Sequence, residues 1–391
     1  MENPETPRLH SYRAALGVLW AFVALAALVG CGGGASRYSG GTPEETRAGT
    51  GETTEEAESR VDVRDAVGQM FVVSMDGTEP NYYIEKMIRE RNLGGVLLFG
   101  NNMESEEQTG TLVDSLQRLA MKSEPAIPLF IAVDYEGGEV QSAPWVSRQP
   151  SAAEVGGRAD PGEARRISES IGRELRRGEV NTDFAPVVDA GSGAAIGSRS
   201  YGDDPDLVAL MGAASVEGFE EAGVVSSAKH FPNHGPALED SHVARPRIDH
   251  DMQTIRQGDL PPFQAAIDAG VPMVMVGHLL YPVIDSGLPA SLSPAAMDLL
   301  REGLGFDGVI VTDDLSMEGA KRGGTSAEAA VRAVEAGADL LIISGPSEEQ
   351  AAAYDAVVDA VESGEISRER IDAAVERIGN VKRRYPLYSG G

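Results

Sequence analysis

PDLVALMGAASVEGFEEAGVVSSAKHFPNHG, residues 205–235, is the stretch on which the fold turns. Its first eighteen residues set Val208, Met211, Val216 and Phe219 on one face at the helical period and keep Glu217, Glu220 and Glu221 polar, which predicts a helix over 205–222. VVSSAKHF, 224–231, then reads as a short apolar strand that closes on Lys229 and His230. A lysine and a histidine at the end of a buried strand cost desolvation free energy unless polar groups meet them there. The same unit therefore predicts α/β structure and marks a site.

The alternation repeats in both directions from Val61 onward. Strand candidates are QMFVVSM (69–75), GGVLLFG (94–100), PLFIAVD (128–134), NTDFAPVVD (181–189), VVSSAKHF, PMVMVGH (272–278), GVIVTDD (308–314) and ADLLIISG (338–345). Helical candidates between them include 161–179, 205–222, 251–269 and 325–336. Eight strands alternating with helices predict a single catalytic domain over 61–391, an α/β fold of the (β/α)8 TIM-type barrel class. A doubly wound open sheet is the alternative. No fixed short repeat points to a solenoid.

A barrel of this kind collects its functional groups at the C-terminal ends of the strands. Strand three ends in Asp134, followed by Glu136 and a Gly137-Gly138 turn; strand five ends in Lys229 and His230, strand six in His278, strand seven in Asp313 and Asp314. The loop IGSRSYGDDP (196–205) after strand four adds Arg199. Adjacent strand residues point to opposite faces, so one of Asp313 and Asp314 is expected to be structural. AKHFPNHGPALEDSH (228–242) holds three of the six histidines. In it, Asp240 lies two residues from His242, close enough to turn back and fix the imidazole's tautomer and basicity. VTDDLSM (311–317) offers a nucleophile to complete such a site. A metal site is the rival, since His230 and His234 are spaced i, i+4 with Asp240 and His242 nearby. Pro232 and Gly235 break any helix that would align those two histidines, so neither a metal nor an organic cofactor is expected.

A net charge of −28, from 61 acids and 33 bases, excludes nucleic acid as a partner and leaves neutral or cationic partners, or solubility, as its use. AALGVLWAFVALAALV (14–29) follows Arg8 and Arg13 and runs into Gly30-Cys31, so residues 1–30 read as a secretory signal too short to span a membrane. The position of Cys31 resembles a bacterial lipoprotein signal, with Cys31 lipidated and the chain held at the outer face of the cytoplasmic membrane, or else secreted. One cysteine permits no internal disulfide. Residues 31–60, rich in glycine, threonine and glutamate, lack the apolar surface to offset chain entropy and read as a flexible tether.

VDYEGGEVQ (133–141), IGSRSYGDDP, KHFPNHGPALEDSH, GHLLYPVID (277–285), PASLS (289–293) and GVIVTDDLSMEGA (308–320) together resemble glycoside hydrolase family 3, and within it the bacterial β-N-acetylglucosaminidases. The resemblance covers roughly 64–385. It implies a retaining glycosidase acting on terminal N-acetylglucosamine of peptidoglycan fragments or related glycans. Asp313 would be the nucleophile, His242 with Asp240 the acid/base, and Asp134, Arg199, Lys229 and His230 the sugar-binding set. Departures from the family pattern lie at Asn233, Pro236 and Ala237, where PNHGPA replaces PGHGDT, and at Glu139 and Ser142, where GGEVQS replaces GGRVQR. The first group is expected to stiffen the loop that carries His242, and the second bears on affinity or sugar specificity. The chain ends soon after the barrel, so a loop is expected to complete the site. Phosphorolysis at the same site, or glycan binding without turnover, are the alternative functions.

Overall fold

The computed structural model describes residues 62–239, 241, 244–321, 323–388 and 390. The expected signal, Cys31, the tether, Asp240 and His242 lie outside the described residues. Eight parallel strands close a barrel: β1 Phe71–Ser74, β2 Gly95–Leu97, β3 Phe130–Val133, β4 Thr182–Asp183, β5 Val225–Phe231, β6 Met273–Val276, β7 Val309–Asp314 and β8 Leu340–Ile343. Each pairs with its neighbours in sequence, and β8 returns to β1 with Phe71 opposite Leu341. The strands are covered on both faces, which is why β3 (FIAV), β6 (MVMV) and β8 (LLII) are apolar at every position and fully buried.

Two elements differ from the sequence expectation. The run 181–189 pairs as a strand only over Thr182–Asp183, with an isolated bridge from Val187 to Lys229. Pro186 has no N–H to give the ladder, so regular pairing stops before it. The helix expected over 251–269 is broken into Met252–Thr254, a π turn at Ile255–Asp259 and a helix at Pro261–Asp268. The tandem Pro261-Pro262 lacks the N–H groups an uninterrupted helix needs, and it starts the final segment instead.

Other helices follow their local signals. Pro161–Arg177 and Pro205–Ala222 both begin with proline at the first turn and are capped by Asp160 and Asp204, whose carboxylates accept from Gly162 N and Asp206 N. Val208, Met211, Val216 and Phe219 are buried as the periodicity requires. These two helices pack so closely that a Cβ on Gly218 would sit 2.3 Å from Arg165 O. Among the described residues no helix is long and apolar enough to cross a membrane.

The N-terminal end of the barrel is sealed by ionic groups. Lys382, 6% exposed, donates from Nζ to Gln69 Oε1 (2.9 Å), Gly94 O (2.8 Å) and Pro128 O (2.7 Å), just before β1, β2 and β3. Fully buried Asp339, just before β8, gathers Arg301, Arg370 and Arg377 at 2.7, 3.3 and 3.1 Å. This end of the barrel serves stability, and the opposite end is left for chemistry.

Candidate active site

A cavity of about 650 Å³ opens at the C-terminal ends of the strands. It brings together Asp134, Arg199, Lys229, His230 and Asp313, all five sequence-expected residues that the structure describes.

Lys229, at the end of β5, is nearly buried and points Nζ at Asp134 Oδ1 (2.6 Å) and Glu136 Oε1 (2.7 Å). Arg199, from the loop after β4, grips the same Glu136 with both ends of its fork, at 2.7 and 2.8 Å. Burial would lift the Glu136 carboxyl, but the Lys229 ammonium and the Arg199 guanidinium overcome it and hold it at about 2. Burial likewise opposes the charge on Lys229, and Asp134 with Glu136 reverse this and raise its pKa. Glu136 is thus the ionised pivot that sets the direction of two cations in the cavity wall.

His230 is held from behind. Its Nδ1 lies 2.8 Å from Asp189 Oδ2, and its backbone N–H donates to the same carboxylate at 3.2 Å. A carboxylate at Nδ1 keeps a proton on that nitrogen, and Nε2 lies on the other side of the ring, 3.5 Å from Arg199 Nη2. Asp189 also accepts from His234 N at 2.6 Å. Burial would raise the Asp189 carboxyl, yet His230 and His234 together keep it low. The register of β5 against β6 shifts between Lys229 and Phe231, and both Lys229 and His230 reach the cavity wall.

Asp313 and Asp314 end β7 and both border the cavity, but only one is spent on the fold. Asp314 Oδ1 accepts from Ser316 N (2.9 Å), Ser316 Oγ (2.6 Å) and Ser344 N (3.0 Å), and its Oδ2 accepts from Ser344 Oγ. Asp313 Oδ1 accepts from Asp314 N (2.8 Å), leaving the rest of its carboxylate to the cavity. Burial would raise Asp313, but the His278 and His230 imidazoles, the Asp314 N–H and Lys229 hold it at about 2. His278 itself is fully buried behind β7: Nε2 donates to Asp314 O at 2.8 Å, and Nδ1 lies 2.7 Å from Ser291 Oγ. It braces the end of β7 and does not line the cavity.

After β5 the chain is tied down at Asn233 and again at Ser241. Asn233, 1% exposed, donates from Nδ2 to Ala190 O (2.9 Å) and Asp259 Oδ1 (2.8 Å), and its Oδ1 accepts from Gly235 N (2.9 Å). Farther along, Ser241 Oγ lies 3.2 Å from His234 Nε2, and Ser241 O accepts from Gly319 N at 3.1 Å. Gly319 permits that approach, since a Cβ there would come within 2.9 Å of Ser241 O. Asp240 and His242 flank this anchored serine in sequence. Ser142, another departure, donates from Oγ to Asp134 O at 2.8 Å.

Among the described residues no group of three or more His, Cys, Asp or Glu side chains is arranged to hold a metal ion. The His230 and His234 rings meet edge-on at 5.7 Å, each turned to a protein partner. Sequence reasoning did not select Glu136 or Asp189 as site residues. The strand-end rule brought up Glu136 without giving it a role, and Asp189, the last residue of the 181–189 candidate, is where the same rule would have found it. Asp183, at the end of β4, was also passed over: it is fully buried, accepts from Tyr135 N at 2.9 Å, and burial pushes its carboxyl well above the usual range.

Residues 62–381 match the N-terminal domain of glycosyl hydrolase family 3. The chain is 34% identical over 336 residues to β-hexosaminidase A of Pseudoalteromonas piscicida, covering 78% of this chain and 56% of that one. It is 36% identical over 283 residues to the β-hexosaminidase of Methylobacillus flagellatus, covering 70% of this chain and 79% of that one. A solved glycoside hydrolase family 3 β-N-acetylglucosaminidase from Paenibacillus sp. str. FPU-7 superimposes with a TM-score of 0.83 at 40% identity, over 85% of this chain and 64% of that one. The chain thus spans less than two thirds of two of these three relatives.

Proposed function

Because the chain belongs to glycosyl hydrolase family 3, we propose that it is a retaining β-N-acetylglucosaminidase that removes terminal N-acetylglucosamine from peptidoglycan fragments or related glycans. The observation that carries the reading is Asp313: a carboxylate at the end of β7, held ionised at about 2, facing a cavity large enough for a sugar and flanked by a wall of fixed cations and acids. An ionised carboxylate is a nucleophile over the whole neutral range.

In this mechanism Asp134, Lys229, Arg199 and His230 orient the nonreducing sugar through charge-assisted hydrogen bonds, each contributing roughly 1.5–3 kcal/mol. Asp313 attacks the anomeric carbon and forms a glycosyl ester as the bond to the leaving oxygen breaks. His242 gives that oxygen a proton, then takes one from the water that hydrolyses the ester, with Asp240 stabilising the imidazolium. Two carboxyl groups do this work in most retaining glycosidases, and here an imidazole takes one part. No cofactor enters. With residues 1–30 as signal, Cys31 lipidated and 31–60 as tether, the enzyme would meet its glycan at the outer face of the cytoplasmic membrane.

The test is hydrolysis of an aryl N-acetyl-β-glucosaminide by the protein and by Asp313→Ala, with and without phosphate. The reading expects phosphate-independent turnover that the substitution abolishes. A sugar 1-phosphate product formed only with phosphate would select phosphorolysis, and binding of N-acetylglucosaminyl glycans without turnover would leave a glycan-binding protein.

A further inference from the structure

The cavity mouth carries a carboxylate that this chemistry leaves unused. Glu139 sits at the turn of the short hairpin after β3, Tyr135–Gly137 with Val140–Gln141, and lines the same cavity as Asp313. Of the described lining residues only Glu139 and Phe99 are exposed, so these two mark the rim while Lys229 and His230 lie at the nearly buried interior.

The turn is a fixed support. Gly138 N donates to Gln149 O at 3.1 Å, and Gln141 Oε1 accepts from Tyr135 OH and Gln149 N, both at 3.0 Å. Gly137 has φ +88, and a Cβ there would come within 2.6 Å of Pro150 O, so the hairpin lies flush on the following segment. Phe99 is set as firmly, its N–H donating to Asn102 Oδ1 at 2.8 Å.

Among the described residues that line the cavity, none pairs with Glu139. The two permanent cations of the cavity, Arg199 and Lys229, are already engaged by Glu136 and Asp134. Five carboxylates line the cavity against those two cations, within a chain of net charge −28. A cleft lined by one sign of charge focuses its field at the mouth.

On the glycosidase reading, the terminal N-acetylglucosamine fills the interior and the next sugar lies at the rim. We propose that Glu139 is a specificity-determining residue for that second sugar: it favours sugars that are neutral or carry an amine, as in N-acetylglucosamine and glucosamine oligosaccharides, and disfavours sugars that carry a carboxylate, such as the lactyl group of muramic acid. Phe99 adds apolar surface at the same rim, which suits an uncharged pyranose face.

The experiment compares two disaccharides that differ by one charge, N-acetylglucosaminyl-muramic acid and its lactyl amide. The ratio of kcat/KM, amide over acid, is expected to be about fivefold at low salt for the wild type, from one charge pair across a largely wet rim. It should shrink as salt is added, fall toward one in Glu139→Gln, and drop below the Gln value in Glu139→Lys. A ratio that Glu139→Gln leaves unchanged, or a wild type that prefers the acid, overturns the proposal. Failure of the glycosidase reading shows separately, as no turnover of the aryl N-acetyl-β-glucosaminide. In that case the same ratio is read from the Kd values of the two disaccharides by calorimetry, with the same outcomes deciding.

Discussion

Replacing Glu136 by glutamine keeps the side chain's shape and removes the one charge shared by Arg199 and Lys229. In the wild type that carboxylate takes two contacts from Arg199, at 2.7 and 2.8 Å, and one from Lys229 at 2.7 Å. Lys229 retains Asp134 at 2.6 Å, so the loss falls mainly on the guanidinium, left partly buried with a neutral partner. Removing one member of a buried ion pair costs roughly 3–5 kcal/mol. If about 3 kcal/mol of this appears as misdirected donors in the transition state, kcat/KM falls by about two orders of magnitude. The assay is aryl N-acetyl-β-glucosaminide hydrolysis, run beside thermal unfolding so that lost activity is separated from lost fold. The pH dependence carries a second signature. Glu136 has a folded pKa near 2, below its ordinary value, so its stabilisation is present above the ordinary carboxylate range and is lost as pH falls toward 2. The glutamine variant should lack that part of the acid-unfolding curve. A Glu136→Gln enzyme within about threefold of wild-type kcat/KM would refute the view that Glu136 aims the two cations.

Asp183→Asn and Asp189→Asn should part company. Asp183 is held protonated by burial, so asparagine is expected to retain activity within about threefold and to gain stability over the wild type as pH rises above the ordinary carboxylate range, whereas Asp189→Asn, facing the His230 ring and two backbone N–H groups, should lose about a hundredfold in kcat/KM. His242→Ala should lose most activity on a poor leaving group, retain more on a good one, and lose the alkaline limb of the kcat/KM profile; wild-type activity on the poor leaving group would remove His242 from the mechanism. At the far end of the barrel, Lys382→Met leaves three oxygens without their donor and should cost about 2–4 kcal/mol in denaturant unfolding. Burial pushes Lys382 down to about 7, so wild-type stability should rise relative to this variant as pH climbs from 7 toward the ordinary lysine range.

The barrel was legible because its strands are buried on both sides. Runs such as FIAV, MVMV and LLII have no polar face to hide, and they stand out between amphipathic helices. The strand-end rule then located Asp134, Lys229, His230 and Asp313 without any knowledge of contacts. What it could not supply was the partnership among them. Asp134 and Lys229 are 95 residues apart, Glu136 and Arg199 63, and His230 and Asp189 41, so each pair exists only once the barrel has closed. Parity expected Asp313 and Asp314 to face opposite ways, yet both border the cavity, and it is the bonds from Ser316 and from Ser344 just beyond β8 that commit Asp314 to the fold. The two misjudged elements share one cause: Pro186 and the Pro261-Pro262 pair interrupt backbone pairing inside runs whose side-chain pattern continues.

The central claim is that Asp313 forms a covalent bond to the sugar. A fluorinated N-acetylglucosaminide with an activated leaving group, which glycosylates a retaining enzyme and turns over slowly, should add one sugar to the protein, on the peptide spanning 309–321 at Asp313. The label should be absent from Asp313→Ala, and the first-formed product of an ordinary substrate should be the β-anomer. A label on Asp314 or Glu136, or an α-anomer as first product, would contradict the account.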